Sequence, residues 1–359
     1  MECGIVGPPL SGKTTLFNLL TGACPPSGSV KREVQRGVAK LPDFRLAKLA
    51  ALSASRKIVP ATVEYVDVPG VEVTPEKREP YPAAYLAELR GAAMLTLTIR
   101  DFAAPAIPHP RGRIDPAADL ADAALEFIVN DLSTVEKRLA KISRLFDPAS
   151  KKETELLERC KQALDAGTHL RALQLEPEEE KLLRGYAFLS LKPLLVVLNV
   201  GEEAAADSDA RLASLKEAAG DLGGGVGWAA CAAGIEAEIA QLEESERAPF
   251  MEELGFDQPA LDRIVRAAFD LLGLITFFTT SEKDTTAWAV RRGSNAVTAA
   301  GAIHEDIARG FIRAEVFGWD EFVAAEGSHA RLKETGKLRL EGKDYIVHDG
   351  DIINVRFSG

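Results

Sequence analysis

Residues Gly7-Pro8-Pro9-Leu10-Ser11-Gly12-Lys13-Thr14 read GxxxxGK[ST], and this octapeptide constrains the fold more than any other feature of the 359-residue chain. The motif works in one setting: a strand delivers the chain to the first glycine and a helix begins at the lysine, so that backbone N–H groups converge on a phosphate. Both are written around it. Gly4-Ile5-Val6 is a short apolar run, and Leu16, Phe17, Leu19 and Leu20 supply the apolar set of a helix from Lys13. Further along, residues 63–68 (VEYVDV) alternate and stop at Pro69-Gly70, residues 94–99 are β-compatible, and residues 194–199 (LLVVLN) are continuously apolar. Strands separated by helical stretches predict an α/β domain with a parallel sheet.

The motif dictates chemistry as well as fold. Gly7, Pro9, Leu10, Ser11, Gly12, Lys13, Thr14 and Thr15 are the candidate phosphate-site residues, with Lys13 reaching the β and γ phosphates and the Thr14 hydroxyl binding Mg²⁺. Asp67-Val68-Pro69-Gly70 ends a strand some fifty residues later and fits a DxxG motif, with Asp67 as a metal-side residue and the Gly70 N–H approaching the γ-phosphate. Asn199-Val200-Gly201-Glu202 follows the apolar strand where guanine-binding proteins of this type carry NKxD. Here the acid is Glu202 and the lysine is absent, so the paired hydrogen bonds to guanine weaken and adenine competes. Asn199, Val200 and Glu202, with Cys231, Ala232 and Ala233 closing over the base, are the candidate base-side residues.

Between residues 117 and 190 the pattern changes. Ile128, Leu132, Val135, Leu139, Ile142 and Phe146 follow spacings of 4, 3, 4, 3 and 4, and Leu156, Leu157, Cys160 and Leu164 continue at helical spacing beyond Asp147-Pro148. Residues 130–190 balance 11 basic against 11 acidic side chains, which suits two solvated antiparallel helices inserted into the α/β domain. From residue 275 the chain turns β-rich, indicating a small α+β domain at the end.

Charge is uneven over the chain, whose formal net value is −11. Residues 1–60 carry 9 basic and 3 acidic groups, residues 201–260 carry 3 and 14, and residues 276–359 carry 11 and 13. Anionic ligands are therefore expected at the two ends. Arg291, Arg292, Lys337, Arg339 and Lys343 are the C-terminal candidates for RNA phosphates. The four cysteines form no CxxC pair, and His109, His169, His304, His329 and His348 form no spaced metal set. No run approaches the ~18 apolar residues of a membrane span, so the expectation is a soluble, monomeric protein of the cytoplasm with no membrane partner.

Longer stretches resemble one family, the YchF/Obg-like ATPases of the Obg-type P-loop NTPases. GIVGPPLSGKTTLFNLLTG looks like its P-loop, VPATVEYVDVPG like its DxxG region, DLSTVEKRLAKI like its inserted helix and KPLLVVLNVGEE like its NxxE strand. LDRIVRAAFDLLGLITFFTT, AAGAIHEDIARGFIRAEV and GKLRLEGKDYIVHDGDIINVRF are similar to its C-terminal part. The resemblance implies a P-loop nucleotide domain (1–125 and 191–275), an inserted helical hairpin (126–190) and a C-terminal β-grasp module of the TGS type (276–359). It also implies Mg²⁺-dependent hydrolysis of ATP or GTP, and a ribosome or RNA partner engaged through the TGS module and the hairpin.

Three departures bear on that activity. Lys31, within Ser29-Val30-Lys31-Arg32-Glu33, stands where relatives carry a threonine; Val71-Glu72-Val73-Thr74-Pro75 replaces a glycine-rich stretch; and Leu10 replaces an asparagine. An ammonium has no lone pair for magnesium. Slow turnover with retained nucleotide binding is the expectation, and a non-hydrolysing nucleotide sensor or scaffold is the alternative. A small-molecule kinase is disfavoured, because no separate acceptor site or lid is evident.

Overall fold

A computed structural model describes residues 1–23, 34–68, 83–104, 107–143, 151–256 and 258–358. Twelve strands lie among them: β1 (Glu2–Val6), β2 (Gln35–Lys40), β3 (Ile58–Val59), β4 (Thr62–Asp67), β5 (Met94–Asp101), β6 (Leu194–Val200), β7 (Val226–Cys231), β8 (Leu274–Thr280), β9 (Thr285–Arg291), β10 (Phe311–Gly318), β11 (Arg339–Glu341) and β12 (Asp351–Phe357). They make two six-stranded sheets, in the orders β2-β4-β1-β5-β6-β7 and β11-β10-β12-β8-β9-β3. The chain divides into two compact units, Met1–Ala39 with Glu64–Leu271, and Lys40–Val63 with Leu272–Gly359.

In the first unit β4, β1, β5, β6 and β7 pair in parallel. The register sets Ile5 beside Asp67, Arg100 beside Asn199 and Asn199 beside Cys231, so the strands end level with one another. In such sheets the carboxyl ends are where ligands bind. Every residue of β6 is buried, which is why its sequence is a continuous apolar run rather than an alternating one.

Asp115 caps the 27-residue helix Pro116–Ile142 by accepting from the Ala118 N–H, and Pro116 opens its first turn. This helix serves two cores. Leu120, Ala123, Ala124 and Phe127 pack into the main core beside β5 and β6, whereas Ile128, Val135 and Ile142 pack with Leu156, Leu157, Cys160 and Leu164 from the helix Lys151–Asp165. The Arg138–Glu153 and Glu136–Lys161 ion pairs show the two helices running antiparallel. The sequence boundary at 125/126 thus falls inside one continuous helix; Phe146 lies outside the described residues.

The second unit is a mixed sheet: β10 is antiparallel to β11 and β12, β8 to β9, while β12 runs parallel to β8 and β3 to β9. Helix Ala296–Ile303 covers one face, with Ala296, Ala299 and Ala300 against Ile275, Phe277, Val316 and Ile353. The sequence reading confined this unit to 276–359. The structure differs, because Lys40–Val63 belongs to it: helix Phe44–Leu52 packs on β8 and β9, and Ile58-Val59 extends the sheet beside Thr285-Thr286.

Candidate nucleotide site

The loop between β1 and helix Lys13–Thr21 takes a backbone path that few residues tolerate, with φ of +146° at Gly7, +62° at Leu10 and +91° at Gly12. A Cβ at Gly7 would sit 2.3 Å from the Thr98 carbonyl oxygen, and one at Gly12 would sit 2.2 Å from Asn199 Nδ2. Both glycines are therefore required by contact as well as by conformation. Leu10 has no such excuse. It occupies the left-handed region at about 1–2 kcal/mol of cost, while half of its surface faces solvent. Ser11 and Lys13 are buried, Pro9 and Thr15 are half-buried and Thr14 is exposed.

Lys13 Nζ donates to Gly7 O at 3.0 Å and to Pro8 O at 2.8 Å. Burial drives its ammonium down to about 8, with the nearby Asp67 carboxylate opposing the shift. Thr14 Oγ1 donates to Asp67 Oδ2 at 2.8 Å, and Asp67 Oδ1 is buried with no hydrogen-bond partner among the described residues. Burial raises the Asp67 carboxyl, against the pull of Thr14 and Lys13. A buried carboxylate oxygen left over beside a hydroxyl is a pair of hard donors, and Mg²⁺ characteristically takes one or two protein oxygens and completes its shell with phosphates and water. Among the described residues no cluster of three His, Cys, Asp or Glu offers an alternative metal site. Gly70, Lys31 and residues 71–75 lie outside the described residues.

Asn199 is held by the protein itself. Its Nδ2 donates to Ser11 O at 3.0 Å, its Oδ1 accepts from Ala233 N at 3.0 Å, and the Cys231 thiol lies 4.0 Å from the same oxygen. A buried amide must satisfy itself, and this one does so by tying the phosphate loop to the 231–233 turn. Cys231, Ala232 and Ala233 are wholly buried behind it, as is Val200 in the core. Glu236 braces that turn, accepting from Ala232 N at 3.0 Å and from Ala260 N at 2.6 Å. Glu202 alone of the base-side set is exposed, opening a short 3-10 turn after β6.

Two features escaped the sequence. Arg100, 1% exposed, donates to the carbonyls of Phe102 (3.0 Å), Ile107 (2.8 Å) and Leu10 (3.4 Å), joining the segment after β5 to the phosphate loop. In that segment His109 Nδ1 accepts from Arg111 N at 3.2 Å, which leaves Nε2 to donate to the buried Asp119 carboxylate at 3.0 Å. An arginine at the end of a strand and a histidine ten residues before its partner carry no spacing signal.

Known proteins resemble this chain along its whole length. Residues 274–358 match the family model YchF-GTPase_C, described as a protein of unknown function. Over 366 residues the chain is 37% identical to the ribosome-binding ATPase YchF of Bacillus subtilis, covering all of this chain and 99% of that protein. The proteins of the same description from Haemophilus ducreyi and Escherichia coli O157:H7 are 39% and 38% identical over 363 residues, covering 99% of each chain. Among solved structures, that of the Schizosaccharomyces pombe YchF GTPase superposes with a TM-score of 0.86 at 23% identity, over 99% of this chain and 97% of that one, which establishes a shared fold. With relatives this similar along its whole length, a phosphate loop at the end of β1 and an α+β unit after it, the chain belongs to the YchF family.

Proposed function

We propose that this protein binds a purine nucleoside triphosphate with Mg²⁺ on residues 7–15, prefers ATP to GTP, hydrolyses it slowly, and couples its bound state to the ribosome in the cytoplasm. The observation that carries the reading is the Lys13, Thr14 and Asp67 cluster at the end of the parallel sheet: an ammonium, a hydroxyl and a carboxylate with an unmet oxygen, beside a glycine-built loop that opens a helix at Lys13. The ribosome reading is supported by the relatives' description as ribosome-binding ATPases.

In this reading Lys13 exchanges its loop carbonyls for phosphate oxygens, and Thr14 and Asp67 would hold Mg²⁺. That ion, once bound, neutralises charge developing between the β and γ phosphates. Gly12 keeps the helix start close to Asn199, whose two hydrogen bonds fix the loop before any ligand arrives. Glu202, one methylene longer than the aspartate of an NKxD motif, displaces the carboxylate that would read guanine. Turnover is slow because Lys31 supplies no metal-ligating oxygen and no glycine occurs from residue 71 to 90.

The test is calorimetric titration of the full chain with ATP and GTP, with and without Mg²⁺, alongside single-turnover hydrolysis in the presence and absence of ribosomes. GTP binding tenfold tighter than ATP, or Mg²⁺-independent affinity, would remove the base and metal assignments. Turnover of the isolated protein above ~1 s⁻¹, ordinary for phosphoryl-transfer enzymes, would refute the slow-hydrolysis reading.

A further inference from the structure

The segment Lys40–Val63 carries Lys40, Arg45, Lys48, Arg56 and Lys57 against a single acid, Asp43: a net +4 within a chain of net −11. Arg45 is consumed internally. It forks onto Asp43 and Asp349, stacks over the Phe278 ring at 5.1 Å, and its carbonyl accepts from Trp319 Nε1. Lys40, Lys48, Arg56 and Lys57 are all exposed, and none has an ion-pair partner among the described residues. The C-terminal cations divide: Arg291, Arg292, Arg313 and Lys343 are exposed with no ion-pair partner among the described residues, while others are spent internally. Lys337 pairs with Glu321, Arg339 with Asp351 and sits over Tyr345, and Arg356 pairs with Glu315.

The same segment presents an aromatic ring to water. Phe44 is 77% exposed at the first turn of helix Phe44–Leu52, with the Trp319 ring meeting it edge-on at 5.7 Å between centroids. Phe44, Ala47, Lys48 and Ala51 form the exposed stripe of that helix, opposite the buried Leu46, Leu49 and Ala50. Arg56 and Lys57 follow at the helix's far end, leading into the edge strand β3. The Arg45 fork and the Asp43 cap, which accepts from Arg45 N at 3.0 Å, hold the helix start rigid beneath the ring.

We infer that this stripe binds single-stranded RNA, one base stacking on Phe44 while Lys48, Arg56 and Lys57 take phosphates. A solvent-facing ring on a rigid support with unpaired cations in the same short segment is how sequence-tolerant single-strand sites are built, and stacking is worth ~1–3 kcal/mol per base. An acidic protein partner would use the cations but gain little from the ring. The inference rests on the ribosome reading only for where such RNA is met.

The test uses the full chain and a short, unstructured, fluorescein-labelled RNA, read by anisotropy over a range of potassium chloride concentrations, with ribosome co-sedimentation in parallel. Phe44→Ala should weaken RNA binding about tenfold at every salt concentration, and Phe44→Trp should retain it. Neutralising Lys48, Arg56 and Lys57 to Gln should lower the slope of log affinity against log salt by about 2. Wild-type affinity and slope in both variants would overturn the inference, as would loss with the Gln variant but none with Phe44→Ala, the result an acidic protein partner predicts. Wild-type protein that pellets with ribosomes while Phe44→Ala pellets equally well would remove this surface and leave the ribosome reading intact. Failure of the wild type to pellet, with Phe44-dependent RNA binding retained, would remove the ribosome reading alone.

Discussion

Replacing Lys13 by Met separates what this side chain does for the nucleotide from what it costs the fold. The ammonium titrates near 8 in the folded protein and near 10.5 in an unfolded chain. The native state has the depressed value, so between those two pH values the unfolded chain binds more protons and the folded protein gains stability as pH rises. The penalty of keeping Lys13 charged is fully present below pH 8, where it amounts to about 3 kcal/mol at ~1.4 kcal/mol for each tenfold loss of proton affinity, and it fades toward pH 10.5. Over the practical window from about pH 7 to 9.5, the wild type should gain about 2 kcal/mol relative to Lys13→Met. The lost hydrogen bonds to Gly7 O and Pro8 O shift the variant by an amount independent of pH, so they cancel from this difference. Urea unfolding of both proteins at several pH values measures it directly. A stability difference constant with pH to within about 0.5 kcal/mol would refute the argument that burial depresses Lys13. Saturating ATP should abolish the pH dependence in the wild type, because phosphate charge keeps the ammonium protonated, and Lys13→Met should bind ATP at least tenfold more weakly, about 1.4 kcal/mol.

Three further outcomes are expected. Gly12→Ala drives a methyl group to 2.2 Å from Asn199 Nδ2 in a backbone conformation alanine disfavours, so thermal unfolding should show a loss of more than ~2 kcal/mol and calorimetry a loss of ATP binding; an unchanged melting temperature would contradict this. Leu10→Asn relieves a left-handed leucine that buries little, and should raise stability by about 0.5–1 kcal/mol in urea titration, whereas a neutral or destabilising result would mean that Leu10 makes an unrecognised contact. Glu202→Asp should shift the ratio of ATP to GTP affinities toward GTP, and an unaltered ratio in paired calorimetric titrations would exclude Glu202 as a base reader.

What could be read from the sequence was what neighbouring residues determine. The strand before Gly7, the helix from Lys13 and the buried run at β6 follow from local pattern, and the heptad seam of Ile128, Val135 and Ile142 found its partners in Leu156, Leu157 and Cys160. The rest depended on distant contacts. The motif around Asn199 does not announce its partners in the fold, which lie 188 positions before it and 34 after it. The helix Phe44–Leu52 announces an apolar side through Leu46 and Leu49, but nothing in that pattern says that the side meets β8 and β9. Ile58-Val59 is too short to register as a strand until Thr285 and Thr286 lie beside it.

The membership of residues 40–63 in the second unit shapes how the protein is made. Residues 40–63 leave the ribosome early, but the strands they pack against follow only after the intervening residues 64–271 have been synthesised, a gap of 208 residues. At roughly 5–20 residues per second this is about 10–40 s of synthesis. For that interval Leu41, Leu46 and Leu49 have no core to enter, and the segment waits as exposed apolar surface while the strands of the nucleotide unit are still emerging. The second unit therefore closes after translation has all but finished, by a contact of very high sequence separation, the kind of closure that is slow and leaves a nascent chain exposed to aggregation until it is made. A chain shortened at residue 275 would never reach that step: it would carry helix Phe44–Leu52 permanently without its sheet.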